Sequence, residues 1–222
     1  MILKIMARKK IILIGARLDG HAGVILDIIK DYALYDPVGF IDDNLAIQNT
    51  LVGGLPVLGT IESFLSRVDF EGVYFIASGD NGFREKIYTI LTKRGLRLGN
   101  IIHPSAVISS SVELGEGIFI GPKVVITHNA RIGNGVIINT AATIDHDNLI
   151  GEFVNMSPGC HTSGRVIIGK RVFLGTGVVL LPDIVLEDDV VIGAGAVVTK
   201  RVAKNTTVVG VPAKPIIRLE KK

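Results

Sequence analysis

Two architectures are predicted in one chain of 222 residues: a small α/β domain over residues 1–100 and an all-β parallel β-helix over residues 101–222. Three observations predict them. A short Ile-rich run ends in glycine just ahead of a helical pattern. From Ile102 to Val198 an aliphatic residue or Met stands at every sixth position, with Thr162 the one exception. A second series, mostly small or β-branched, runs two positions ahead of the first.

Residues 10–16 (KIILIGA) have the pattern of a strand buried in a parallel sheet. Gly20-His21-Ala22-Gly23 then opens a helical pattern over residues 24–32. A second strand, residues 38–43, ends in two acids, Asp42 and Asp43. A third, residues 72–77, leads through Ser78-Gly79-Asp80-Asn81 into a helix over residues 83–94. This order predicts a Rossmann-like sheet with ligand groups at the carboxyl ends of its strands. A glycine-rich turn ahead of a helix suits a phosphate, because backbone N–H groups and the helix dipole converge there. The turn has no strict G-x-G-x-x-G, which weighs against a dinucleotide.

The period of six in the second half fits neither a helix at 3.6 nor a long strand at 2. It fits very short strands separated by tight corners, three of them closing a coil of eighteen residues. The aliphatic and the residue two before it then both point inward. Glycine often follows the aliphatic, as at Gly115, Gly133, Gly151 and Gly175, where it is expected to take the corner conformation. Successive coils stack as parallel strands about 4.8 Å apart, each covering the edges of the next.

Aromatics are 5% of the chain and Trp is absent, so the core must be aliphatic. A net charge of +3, with the cluster Arg8-Lys9-Lys10 read as a solvated terminus, is too mild to argue for nucleic acid. The lone Cys160 cannot form an internal disulfide and is expected as a small buried residue in a reducing compartment. No apolar run is long enough to span a membrane, and residues 1–6 lack the apolar stretch of a signal peptide. A cytoplasmic protein is expected.

Of the five histidines, His146 has the most chemical surroundings, Asp145-His146-Asp147. A neighbouring carboxylate can hold one tautomer and stabilise the imidazolium. On the residues alone, His146 is either a general base or a solvated corner residue. His128 falls at the same corner one coil earlier, but no further ligand cluster accompanies the pair, so no metal is expected.

Residues 101–216 resemble the left-handed parallel β-helix of the hexapeptide-repeat acyltransferases, and the left hand is implied by that resemblance alone. The tail Val209-Gly210-Val211-Pro212-Ala213-Lys214-Pro215 is similar to the ending of members that use acetyl-CoA. In the first half, Gly15-Ala16, Gly20-His21, residues 40–44 and 53–59, and Gly79-Asp80-Asn81 with Arg84 resemble the bacterial nucleotide-sugar N-acetyltransferases, which group with sialic acid O-acetyltransferase-like sugar acyltransferases. The family usually runs Gly-Ala-x-Gly-His; here Arg17-Leu18-Asp19 lengthen that loop by two residues.

The resemblance implies an acetyl-CoA-dependent transfer to the amine of a nucleotide-linked amino-deoxysugar, C4 being the candidate position. It implies His146 as general base, Asp147 as its partner and Asn139 at the acceptor. Gly20, His21, Ala22, Asp42, Asp43 and Gly79 would contact the nucleotide. Asn155, Thr176, Ala194 and Lys214 would contact acetyl-CoA in a groove between subunits of a homotrimer. Members often carry His where Asn155 stands, and Asn cannot titrate. Two other readings stay open: O-acetylation of sialic acid or serine, and a non-catalytic scaffold that binds a sugar nucleotide.

Overall fold

A computed structural model describes residues 8–66 and 70–216. Residues 1–6, expected to carry no signal peptide, lie outside the described residues. The chain divides into two compact units. One runs to Gly79 and includes Ile87–Ile101; the other comprises Asp80–Lys86 and the chain from Ile102 onward.

The first unit is built on three parallel strands, β1 (Lys10–Ile14), β2 (Asp36–Ile41) and β5 (Val73–Ile76), in the order β2-β1-β5. Ile11 to Ile14 are buried throughout, as an apolar run with helices on its faces requires. Helix α1 spans His21–Asp31, beginning three residues before the expected pattern because Gly20 serves as its N-cap. The lengthened loop folds back over this end of α1. A Cβ on Gly23 would lie 2.4 Å from the Leu18 carbonyl oxygen, so glycine is required where the loop passes the helix. Two further elements were not expected from the sequence: a hairpin, β3 (Leu51–Val52) with β4 (Leu55–Pro56), and helix α2 (Ile61–Leu65). Both are too short for a periodic signal, although Thr60 and Ser63 form a reciprocal capping box on α2. Helix α3 covers Asn81–Lys93, with Asp80 Oδ1 accepting from the Phe83 N–H at 2.6 Å.

The second unit is a parallel β-helix. Two-residue strands from Ile101–Ile102 to Val197–Val198 stack into three sheets, each strand pairing with the one eighteen residues on. One sheet holds Thr143–Ile144 and His161–Thr162, the next Leu149–Ile150, the third Asn155–Met156. Both inward series are buried as expected: Ile138, Ile144, Met156 and Leu180 from one, Val136, Ala142, Val154 and Cys160 from the other, all at 0% exposure. Ile102, Ile108 and Leu114 are only partly buried, because no coil lies beneath the first. The tail closes as an antiparallel hairpin of Thr207–Val209 with Lys214–Ile216.

The corners correct one expectation. The glycines that follow the aliphatics are not the left-handed residues. Those occur two positions later and repeat every six, as Lys123, Asn129, Gly135, Ala141, Asp147, Phe153 and Gly159. Gly133, Gly151 and Gly175 are required for clearance instead: a Cβ there would meet backbone of the next coil at 2.8, 2.7 and 2.6 Å.

Candidate active site

His146 and Asp147 occupy one corner of the coil, and Asp147 takes the left-handed conformation with φ 58°. That turn brings the Asp147 carboxylate back beside its neighbour's ring. His146 Nδ1 lies 2.8 Å from Asp147 Oδ2, and both side chains are a little over two-fifths exposed. Asn129, one coil earlier at the same corner, donates its amide to Asp147 Oδ1 at 2.7 Å. Donation from Asn129 first, then from His146, holds the Asp147 carboxyl below its usual range. With Nδ1–H directed to a carboxylate, the free lone pair of the neutral ring is on Nε2.

The second flanking acid has a different task. Asp145 Oδ1 accepts from the backbone N–H of His146 at 2.8 Å and from the Thr127 hydroxyl at 3.2 Å. Two polar residues inside the coil hold the same corner. The buried hydroxyl of Thr162 accepts from the Asp145 N–H at 3.3 Å. Asn148, wholly buried, donates Nδ2 to the carbonyls of Asp145, His146 and Ser163 at 2.8, 3.2 and 2.9 Å. Thr162 was visible in the sequence as the break in the sixfold series; its hydrogen bond with Asp145 was not. His128 is exposed and shares a hydrogen bond with Ser111 at 3.1 Å. Cys160 is buried, and that burial pushes its thiol up to about 11.

Asn139 sits at the preceding corner, half-buried, its Oδ1 accepting from the Thr140 N–H at 2.8 Å. Thr176 and Ala194 are exposed at that same corner two and three coils on, where Gly195 N–H donates to the Thr176 carbonyl at 2.8 Å. Asn155 is 8% exposed on the third sheet, and Lys214 is exposed in the terminal hairpin. Within one chain, these residues therefore lie at another corner and on another face from His146, and the two groups are not brought together. A hollow of about 400 Å³ on the second sheet, flanked by Leu149, Ile167 and Arg131, involves none of the catalytic or binding residues expected from the sequence.

In the first unit, the six expected nucleotide contacts cluster where the sheet ends. Gly20, His21 and Ala22 follow β1, Asp42 and Asp43 follow β2, and Gly79 follows β5. Gly20 and Gly79 are exposed, whereas Ala22 is fully buried against the sheet. The N-terminus of α1 has no side-chain cap and no acid in its first turn, so its N–H groups and dipole favour an anion. Asp42 and Asp43 already have structural partners. Asp42 Oδ2 accepts from Ala16 N–H at 2.7 Å and Oδ1 from Asn44 N–H at 2.8 Å; Asp43 Oδ1 accepts from Ile61 N–H at 2.8 Å. Each carboxylate retains lone pairs for a hydroxyl donor.

Arg84, named only within a matching string, is an anchor in the second unit. Its guanidinium is 1% exposed and donates to the carbonyls of Gly135 and Phe153 at 2.9 Å, and to Asn81 Oδ1 at 3.0 Å. Burial pushes it down to about 9, which still leaves it charged at neutral pH. Among the described residues, no three His, Cys, Asp or Glu converge as metal ligands, and no helix is long and apolar enough to cross a membrane.

The fold is that of the left-handed β-helix acyltransferases of the hexapeptide-repeat class. The PglD N-terminal domain model matches residues 10–91, and the bacterial transferase hexapeptide model (six repeats) matches residues 165–200. A form of perosamine N-acetyltransferase from Caulobacter crescentus, with one histidine replaced by asparagine and with CoA and GDP-perosamine bound, is 32% identical. That alignment covers 93% of this chain and 96% of the other, with a TM-score of 0.86. The acetyltransferase domain of PglB from Neisseria gonorrhoeae FA1090, in complex with acetyl coenzyme A, is 34% identical over 95% of this chain and 100% of that one, with a TM-score of 0.86. WeeI from Acinetobacter baumannii AYE is 30% identical over 93% and 99%, with a TM-score of 0.82. The chain belongs to the sugar N-acetyltransferases of the hexapeptide-repeat family, and it is an acetyltransferase.

Proposed function

We propose that this enzyme transfers the acetyl group of acetyl-CoA to the C4 amine of a nucleotide-linked amino-deoxysugar, with His146 as general base. The observation that carries the proposal is the 2.8 Å contact of His146 Nδ1 with Asp147, which leaves Nε2 to take a proton. The relative bound to CoA and GDP-perosamine, aligned over nearly the whole chain, supports the two substrate classes. Nε2 accepts a proton from the amine as its nitrogen attacks the thioester carbon. The new C–N bond forms, the C–S bond breaks, and the imidazolium returns the proton to the departing CoA thiolate. Asp147 steadies the imidazolium between those steps.

In this reading the first unit holds the nucleotide. The uncapped N-terminus of α1, with Gly20 and His21, takes the diphosphate over the buried Ala22, while Asp42, Asp43 and Gly79 take hydroxyl and base edges. Asn155, Thr176, Ala194 and Lys214 line the acetyl-CoA groove, and Asn139 meets the acceptor. Because these lie away from His146 in one chain, a neighbouring copy in a homotrimer completes each site. The test is CoA thiol release with a panel of UDP-, GDP- and dTDP-linked amino sugars, for the native enzyme and for His146→Ala. Turnover with one amino sugar, reduced at least about 10³-fold in the variant, is expected. Activity confined to hydroxyl acceptors, or an undiminished variant, would overturn the reading.

A further inference from the structure

Gly164 differs from the coil glycines that give clearance to backbone. Gly133, Gly151, Gly169 and Gly175 stand where a Cβ would run into the backbone of the next coil. At Gly164 the three atoms nearest such a Cβ all belong to the imidazole of His146: Nε2 at 2.4 Å, Cε1 at 2.5 Å and Cδ2 at 3.1 Å. No backbone atom comes closer than the ring, and Gly164 does not adopt a left-handed φ. Neither its own conformation nor any backbone atom within 3.1 Å of such a Cβ requires glycine here. The imidazole does.

We infer that Gly164 is a positioning residue for the base: its missing side chain is the recess that receives the Nε2 edge of His146. This rests on His146 being the general base. One edge of the ring is tied at Nδ1 to Asp147, and the other lies over a bare α-carbon of the next coil. The two contacts together leave the imidazole one pose. A methyl group in the recess would overlap the ring, and the ring is the partner able to move, by rotating about its own side-chain torsions. Rotation would draw Nδ1 away from Asp147 and turn Nε2 off its line to the amine. A displacement of about 1 Å at a reacting atom can reduce turnover roughly 10²-fold. The stacked strands themselves would have no reason to shift.

The experiment is Gly164→Ala in the native and His146→Ala backgrounds. It measures kcat, both KM values, the thermal midpoint, and the ¹⁵N signals of His146. In the native background we expect kcat to fall about 10- to 100-fold, with KM values within about twofold. The midpoint should stay within about 2 °C. The ¹⁵N signals should pass from a single Nδ1–H tautomer to a mixture. In the His146→Ala background the same change should alter residual turnover less than twofold, since acting units are non-additive. Native turnover in Gly164→Ala would overturn the inference. So would an equal loss in both backgrounds, or failure to fold. If His146→Ala alone keeps full turnover, the base reading is what fails. The ¹⁵N signals then decide the recess separately, and an unchanged tautomer in Gly164→Ala overturns it.

Discussion

Asn148 donates its side-chain amide to the carbonyl oxygen of His146 at 3.2 Å, from inside the coil. The same nitrogen reaches the carbonyls of Asp145 and Ser163, so one buried group braces the histidine's corner and the corner stacked on it. Asn148→Ala would leave three carbonyls without that donor in a dry interior. An unsatisfied buried group costs about 1–3 kcal/mol, and relaxation recovers part of it. We expect a stability loss of about 2–4 kcal/mol by denaturant unfolding, together with a reduced kcat. A variant as stable as the native chain would show that the amide braces nothing.

Asp147→Asn tests the tautomer. The amide has nearly the shape of the carboxylate, and its Oδ1 can still accept from Asn129. It can, however, present an N–H to the ring, favouring the tautomer with Nδ1 unprotonated and Nε2 occupied. We expect kcat to drop by about 10² or more with KM little changed, as wrong-tautomer substitutions do elsewhere. Steady-state kinetics beside the ¹⁵N signals of His146 would check both halves.

The coil's corners also carry a pH dependence. Asp147 is held low by Asn129, Glu152 by Lys170, Asp183 by Arg165 and Asp189 by Arg171. Each folded value lies below the unfolded one. Their contribution is therefore fully present above the ordinary carboxylate range and is lost as pH falls through the lowered values. The unfolding free energy should be flat from about pH 7 to 5 and decline below that. Asp183→Asn, which removes an exposed bidentate partner of Arg165, should make the acid slope shallower. A steeper slope would contradict the sign.

The coil was legible because one residue type per six has to fill one interior, and that demand is written directly in the spacing of Ile138, Ile144 and Ile150. The left-handed corners were misplaced because Lys123, Asn129, Ala141 and Phe153 share no side-chain chemistry; only their backbone position in the stack unites them. His146 and Asp147 could be read as neighbours in the chain. Asn129 and Gly164 could not, because contacts made eighteen residues away depend on how coils stack. Asp42 and Asp43 were read as ligand acids, yet each first serves the fold by accepting backbone N–H groups, a duty that sequence does not separate from binding.

Arg84 offers the sharpest stability test. Its guanidinium is buried, the nearby Asp80 charge favours its charged form, and its donors meet carbonyls from Gly135 and Phe153 on successive coils. A planar fork can serve both at once; an ammonium cannot span them. Arg84→Met keeps length and packing but removes every donor, so the carbonyls lose their partners, offset by relief of a buried charge. The net loss should be about 2–4 kcal/mol. Arg84→Lys should not recover the native value, because it keeps the buried charge while losing the fork. Denaturant midpoints for the three proteins decide it. If methionine proves as stable as arginine, the cost of burying the cation cancels its hydrogen bonds. Arg84 would then be retained for a reason other than holding the coil.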